Sequence, residues 1–201
     1  MRTFLHVGCG GKDKAHTAPA FAEDNWHEIR LDINDAVRPD IVGTMTDMKA
    51  VTSESVDAVF SSHNIEHLHP HEVPLALAEF LRVLKPDGFA VITRPDLQSV
   101  AALIVADKLV EAAYLSPAGP ITPLDILYGH RPQLAPGNLF MAHRCGFTRK
   151  VLHNTPLHGG FKSAASLRRA ENYDLWAIAS KSPLSENESM SRCQLKVRSG
   201  G

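Results

Sequence analysis

Phe4-Leu5-His6-Val7-Gly8-Cys9-Gly10-Gly11 opens the chain, and a second apolar run closes downstream on the acidic Asp32. Residues 4–7 read as a buried strand, and the glycines that follow read as a turn. Glycine matters here because a residue without Cβ turns sharply and lets a ligand approach the backbone amides. A dinucleotide fingerprint, G-x-G-x-x-G, needs a third glycine where the helix packs on the strand and a helix N-terminus facing a pyrophosphate. Counting from Gly8, that sixth position is Asp13. A carboxylate there repels a pyrophosphate and suits a cationic ligand. On its own the glycine run is equally a tight bend or a nucleoside site, so the rest of the chain must decide.

With 201 residues, 44% of them hydrophobic and 21% charged, the chain fits one domain with a substantial core. A net charge of -1 provides no basic field for phosphates, so nothing indicates nucleic acid. Cys9, Cys145 and Cys193 are scattered, odd in number and without a C-x-x-C pair, which argues against a disulfide framework and fits a reducing compartment. No basic-then-apolar leader and no run of membrane-span length is found, so a cytoplasmic protein with no membrane partner is expected. Of eleven histidines, four crowd into residues 63–71.

Short apolar runs at 3–7, 28–33, 40–45, 56–61 and 89–93 alternate with turns and helix patterns, the order of a parallel sheet wrapped by helices. Several are continuous rather than alternating, as strands covered on both faces are. The clearest helix spans 72–84, where Val73, Leu77, Phe80, Leu81 and Leu84 share one stripe, and Lys85-Pro86-Asp87-Gly88 stops it. Residues 12–26 hold Pro19 and no amphipathic stripe, so the first helix is short or absent. A helix is expected over 97–115, then a Pro- and Gly-rich excursion over 116–138 that reads as a substrate cover. A short helix over 149–154 precedes two strands at 161–167 and 173–180, whose short connection implies antiparallel pairing. Residues 182–201 are polar and aperiodic and are expected to form a mobile tail. The expected fold is α/β: a Rossmann-like, mostly parallel sheet with helices on both faces, a C-terminal antiparallel pair and a shortened first helix. It forms a single domain over 1–181, with 97–160 on the substrate side.

Four signals fall at the ends of successive strands: Gly8 to Gly11, Asp32, Thr46-Asp47-Met48, and Ser61-Ser62-His63-Asn64 with Glu66-His67 beyond. In an open parallel sheet these ends share one crevice. With Leu31-Asp32, Asp40-Ile41-Val42, Ser55-Val56-Asp57, Phe80 through Gly88 and Arg94-Pro95-Asp96, the chain resembles the class I S-adenosylmethionine-dependent methyltransferases, in particular the type 11 methyltransferase-domain proteins. Weaker echoes run through 143–148 and 173–181.

The resemblance implies S-adenosyl-L-methionine as cofactor and a small-molecule acceptor, in a monomer or homodimer. It places Gly8, Gly10 and Gly11 under the methionine part, Asp32 on the ribose hydroxyls, Asp47 on the adenine amino group and Met48 against the ring. Ser62 and His63 stand beside the methyl group. With Val7, Cys9, Ile33 and Thr46 these make up the candidate cofactor-binding set. If the acceptor is a hydroxyl, a base removes its proton, and His63 and His67 are the catalytic candidates, with His143 behind them.

His63-x-x-Glu66-His67 also matches an inverted zinc-peptidase pattern, but that motif needs a helix interior, and here a strand end precedes it and Pro70 follows. Related quinone-biosynthesis methyltransferases bind a divalent ion through an acidic residue three before a Glu-His pair. That position is His63 here, and no metal is expected. A non-catalytic S-adenosylmethionine-binding module and a nicotinamide dehydrogenase are the competing readings.

Overall fold

The computed structural model describes residues 1–197. β1 (Arg2–Val7) runs through the glycine turn into a 3-10 turn (Lys14–His16) and the four-residue helix α1 (Pro19–Ala22), followed by β2 (Trp26–Asp32) and β3 (Ile41–Val42). Next come β4 (Val56–Ser62), α2 (Val73–Val83) and β5 (Leu84–Pro95). The second half holds α3 (Leu97–Val105), β6 (Tyr114–Ser116), β7 (Gly119–Ile121), α4 (Pro123–Tyr128) and α5 (Arg131–Leu134). It ends with α6 (Arg149–His158), β8 (Ser163–Arg169), β9 (Asp174–Ser180) and α7 (Glu186–Val197).

The main sheet has seven strands in the order β3-β2-β1-β4-β5-β9-β8. β1 to β5 pair in parallel, and β9 runs antiparallel to both β5 and β8. The order reverses beside β1, where β2 and β4 flank it, and this switch point opens a crevice at the carboxyl ends.

Alternate strand residues feed two cores. Leu5, Val7, Val59, Ala90 and Ile92 face α2 and α6, whereas Phe4, Ala58, Phe60 and Val91 face α1 and α7. On the second face Phe21 of the short α1 sits in an aromatic cluster: stacked on Phe4 at 4.6 Å between ring centroids, edge-on to Trp26 at 5.0 Å and to Phe60 at 5.6 Å. Bulky rings fill the volume that a longer first helix would have covered. Among the described residues no helix is long and apolar enough to cross a membrane.

The structure differs from the sequence reading in four places. The helix expected over 97–115 stops at Val105, because only Ser99 and Val100 find a buried side; Val105 is exposed, and Asp107 turns the chain away with φ +58°. The strand expected over 40–45 shrinks to two residues, because the Gly43 amide bonds Asp32 O and the chain then folds back through a Thr44–Asp47 bridge. The Lys85 to Gly88 turn is absorbed into β5 as a bulge, the register jumping between Val56↔Leu84 and Ala58↔Phe89.

Finally, where a mobile tail over 182–201 is expected, residues 186–197 form α7. Ser185 and Glu188 exchange hydrogen bonds as a reciprocal cap, and buried Cys193 joins the aromatic core. Residues 198–201 lie outside the described residues.

Candidate active site

The glycine turn is held by the protein's own hydrogen bonds. The Gly8 amide donates to Leu31 O at 2.8 Å, which ties the turn to the end of β2. Gly8 (φ +67°) and Gly10 (φ +53°) lie in the left-handed region that glycine enters without strain. A Cβ at Gly8 would fall 2.2 Å from Asn64 Nδ2, so this glycine is required by packing as well. At Gly10 and Gly11 a Cβ would meet no heavy atom within 4 Å. These two glycines border open space, the geometry of a cradle.

Asp32 locks the turn from the other side. Its Oδ2 accepts from the Gly10 amide at 2.7 Å and its Oδ1 from the Asn34 amide at 2.8 Å, with 8% of the residue exposed. Each carboxylate oxygen carries two lone pairs, so acceptor capacity remains for a hydroxyl donor at the crevice. Arg30, which sequence reading overlooked, completes the frame: Nη2 donates to Gly10 O at 2.7 Å and Nε to Lys12 O at 3.0 Å. In sequence nothing set it apart, because β2 also carries His27, Glu28 and Asp32.

These parts line one cavity of about 580 Å³, within the range of small-molecule sites. Of the residues singled out from sequence, Val7, Gly8, Cys9, Gly10, Gly11, Asp32, Ile33, Thr46, Ser62, His63 and His67 line it. Asp47 and Met48 do not. The Thr44–Asp47 bridge turns Thr44, Met45 and Thr46 inward, leaves Asp47 half-exposed on Lys49 Nζ at 2.9 Å, and buries Met48 in the core with its amide on Glu79 Oε2 at 2.6 Å. Asp13 also turns away: Oδ1 accepts from the Ala15 amide at 3.0 Å and contacts His16 Nδ1 at 2.8 Å, capping the 3-10 turn. Cys9 is buried and its thiol is pushed up to about 11 by that burial, which marks it as structural.

Beyond the glycine turn, β4 ends in a histidine cluster. His63 adopts φ +49°, unusual for a side-chain-bearing residue, and its ring is 49% exposed beside the cavity. Ser62 Oγ hydrogen-bonds Thr93 Oγ1 at 2.7 Å on the neighbouring strand. His67 has Nδ1 at 3.0 Å from Ala142 O and Nε2 at 3.2 Å from His63 O. Both partners are carbonyls, which only accept, so each ring nitrogen faces an acceptor. His143 is committed through Nδ1 to Ile126 O at 2.7 Å, and burial draws its pKa down against the pull of Glu66.

Glu66 lies behind these rings, fully buried, with neither carboxylate oxygen hydrogen-bonded. His63 Nδ1 is 3.6 Å from its Oε1, an ion-pair separation too long for a hydrogen bond. Burial pushes the carboxyl up, but His63, Arg94 and His67 together outweigh it and hold it at about 2. Arg94 is itself buried, its guanidinium carbon 3.6 Å above the Phe147 ring, and burial lowers it to about 10.

Residues 5–92 match a family model described as "Methyltransferase domain". Solved structures share the architecture. A SAM-dependent methyltransferase from Archaeoglobus fulgidus aligns at TM-score 0.58 and 17% identity, over 89% of this chain and 86% of that one. A Pyrococcus horikoshii protein aligns at 0.61 and 15%, over 89% and 81%. The Burkholderia thailandensis 1,6-didemethyltoxoflavin-N1-methyltransferase, solved with bound 1,6-didemethyltoxoflavin and S-adenosylhomocysteine, aligns at 0.57 and 14%, over 90% and 71%. No curated protein matches the sequence. Over residues 5–92 the chain is similar to methyltransferase domains, and it shares the fold of these solved structures.

A further part of the cavity wall comes from the second half of the chain. Gln133, Asn138, Phe140, Met141 and Arg144, from α5 through the loop that follows, line the same cavity as the glycine turn. The Arg144 and Cys145 amides bond Glu66 O at 2.8 and 3.2 Å, and His67 holds Ala142, so this segment is stitched to the strand-end cluster. Among the described residues no group of three or more His, Cys, Asp or Glu side chains is arranged to hold a metal ion.

Proposed function

We propose that this chain is an S-adenosylmethionine-dependent methyltransferase acting on a small-molecule acceptor. The observation that carries the reading is the single cavity into which the glycine cradle, the Asp32 carboxylate and the Ser62-His63 strand end all open. The open space over Gly10 and Gly11 suits the methionine end, and the spare acceptor capacity of Asp32 suits ribose hydroxyls. Thr44, Met45 and Thr46 line the adenine end, with Asp47 and Met48 supporting their loop from outside and below. When bound, the cofactor supplies a methyl group already activated by its sulfonium, so the protein's task is to align the acceptor and keep water out.

A pyrophosphate ligand fits poorly. The glycine turn leads into a three-residue 3-10 turn rather than a helix whose N-terminus could face phosphates. Three free cysteines, two of them buried, agree with a reducing cytoplasm. The protein acts as a monomer or homodimer.

Calorimetry with S-adenosylmethionine, S-adenosylhomocysteine and a nicotinamide dinucleotide tests the proposal. The first two are expected to bind with one-to-one stoichiometry and the third not at all, and Asp32→Ala is expected to weaken binding at least tenfold. No heat with S-adenosylmethionine would refute it. Binding without methyl transfer across a metabolite panel would reduce the protein to a cofactor-binding module.

A further inference from the structure

We propose that Glu66 is a positioning residue that orients His63 as a general base, and that the methyl acceptor is therefore a hydroxyl of the phenol or enol class. This rests on the methyltransferase reading above. An amine or thiolate offers sulfonium carbon a ready lone pair, whereas a neutral hydroxyl becomes a competent nucleophile as its proton leaves. In the strand-end cluster beside Ser62, one histidine is free to take that proton. His67 has both nitrogens turned to carbonyls, and His143 is tied through Nδ1 to Ile126 O. Within this cluster His63 combines a cavity-lining, half-exposed ring with a buried carboxylate behind Nδ1. Of the other histidines lining the cavity, His6 is buried on Glu28, and His16 pairs with the exposed Asp13 of its own 3-10 turn, away from the β4 strand end.

Two features set this arrangement apart from a chance surface pair. The Glu66 carboxylate is wholly buried and has no hydrogen-bond partner, so its charge is directed at the groups around it: His63 in front, with Arg94 and His67 flanking. An ionised carboxylate removed from water must be balanced by such neighbours, and a small movement of the His63 ring brings Nδ1–H into hydrogen-bond reach. The left-handed backbone at His63 fixes where the ring departs from β4. With the Nδ1 proton facing Glu66, the lone pair sits on Nε2, at the exposed side. In the transfer the acceptor oxygen forms its bond to the methyl carbon, the carbon–sulfur pair stays on sulfur, and the hydroxyl proton passes to His63 Nε2 and on to solvent. The imidazolium so formed is stabilised by Glu66.

The tautomer is measurable without substrate or cofactor. Long-range ¹H–¹⁵N correlation spectra at pH 8, with His63 assigned by comparison with His63→Gln, are expected to show the Nδ1–H form predominating. A predominant Nε2–H form, the default of free imidazole, overturns the proposal whether or not a variant folds. Glu66→Leu is expected to return His63 to the Nε2–H form. In the second arm, simple phenols and matched aromatic amines are offered at saturating S-adenosylmethionine. Transfer to the phenols, with kcat lowered about a hundredfold in His63→Gln and Glu66→Gln at little-changed KM, supports the assignment. Transfer confined to the amines, or unaltered kcat in the variants, overturns it. S-adenosylmethionine binding is read separately by calorimetry: its loss fails the methyltransferase reading, while intact binding with the wrong tautomer fails this inference alone.

Discussion

Gly8, Gly10 and Gly11 are one residue type doing two jobs. Gly8 is enclosed by the Asn64 side chain and held at φ +67°, while Gly11 borders open space. Gly8→Ala is expected to destabilise the fold by about 1–2 kcal/mol for the left-handed backbone alone, with the Asn64 clash added. Gly11→Ala should melt within a degree or two of wild type yet bind S-adenosylmethionine at least tenfold more weakly; thermal melts and calorimetry on the two variants separate the roles. In sequence the three glycines look alike. So do His63 and His67, because what distinguishes them is a carbonyl contributed by Ala142, 75 positions from His67. The place of Asp32 at the cavity was legible because it closes a strand, whereas that of Asp47 was not, because a two-residue bridge, invisible in composition, rotates it outward.

At the scale of elements, the shortened α1 and the added α7 are two halves of one solution. α1 contributes Phe21 and little else, and α7 brings Met190 and Cys193 over the same face of the sheet. Phe21→Ala should cost about 3–5 kcal/mol, read by denaturant unfolding, since the ring is fully enclosed by other aromatics. Cys193 provides a probe of the α7 contact. Burial pushes its thiol up to about 12, so it should resist a disulfide reagent at pH 8 in the native protein and react within minutes in denaturant. Rapid native labelling of Cys193 would mean that α7 does not stay docked. The strands were readable because continuous apolar runs have few other homes. α7 was overlooked because its inward side is a thin line of Ser189, Met190 and Cys193 on a polar helix, although Ser185-x-x-Glu188 spells a capping box. α3 ended early for the converse reason: its apolar Ile104 and Val105 had pattern but no core to face.

For the molecule as a whole, the strand order follows from chain order, because right-handed crossovers leave a parallel sheet few arrangements. The electrostatic balance at its centre does not, since it depends on Glu66, Arg94 and His143 meeting from three separate segments. That balance has a measurable pH dependence. Glu66 titrates near 2 in the folded protein against an ordinary 4.5, so the unfolded chain binds its proton first. The stability it contributes is present above pH 4.5 and is lost as pH falls toward 2. His6 and His143 are lowered mainly by burial, so they too take up protons more readily when unfolded, and their share fades as pH drops below about 6.5. All three act in one direction. Thermal midpoints recorded from pH 8 to pH 3 should therefore decline in two stages, a shallow one below pH 6.5 and a steeper one below pH 4.5. Glu66→Gln, which removes the titrating carboxyl, should flatten the second stage relative to wild type. A midpoint that rises on acidification, or a Glu66→Gln curve parallel to wild type down to pH 3, would show that the carboxylate is not held ionised in the core.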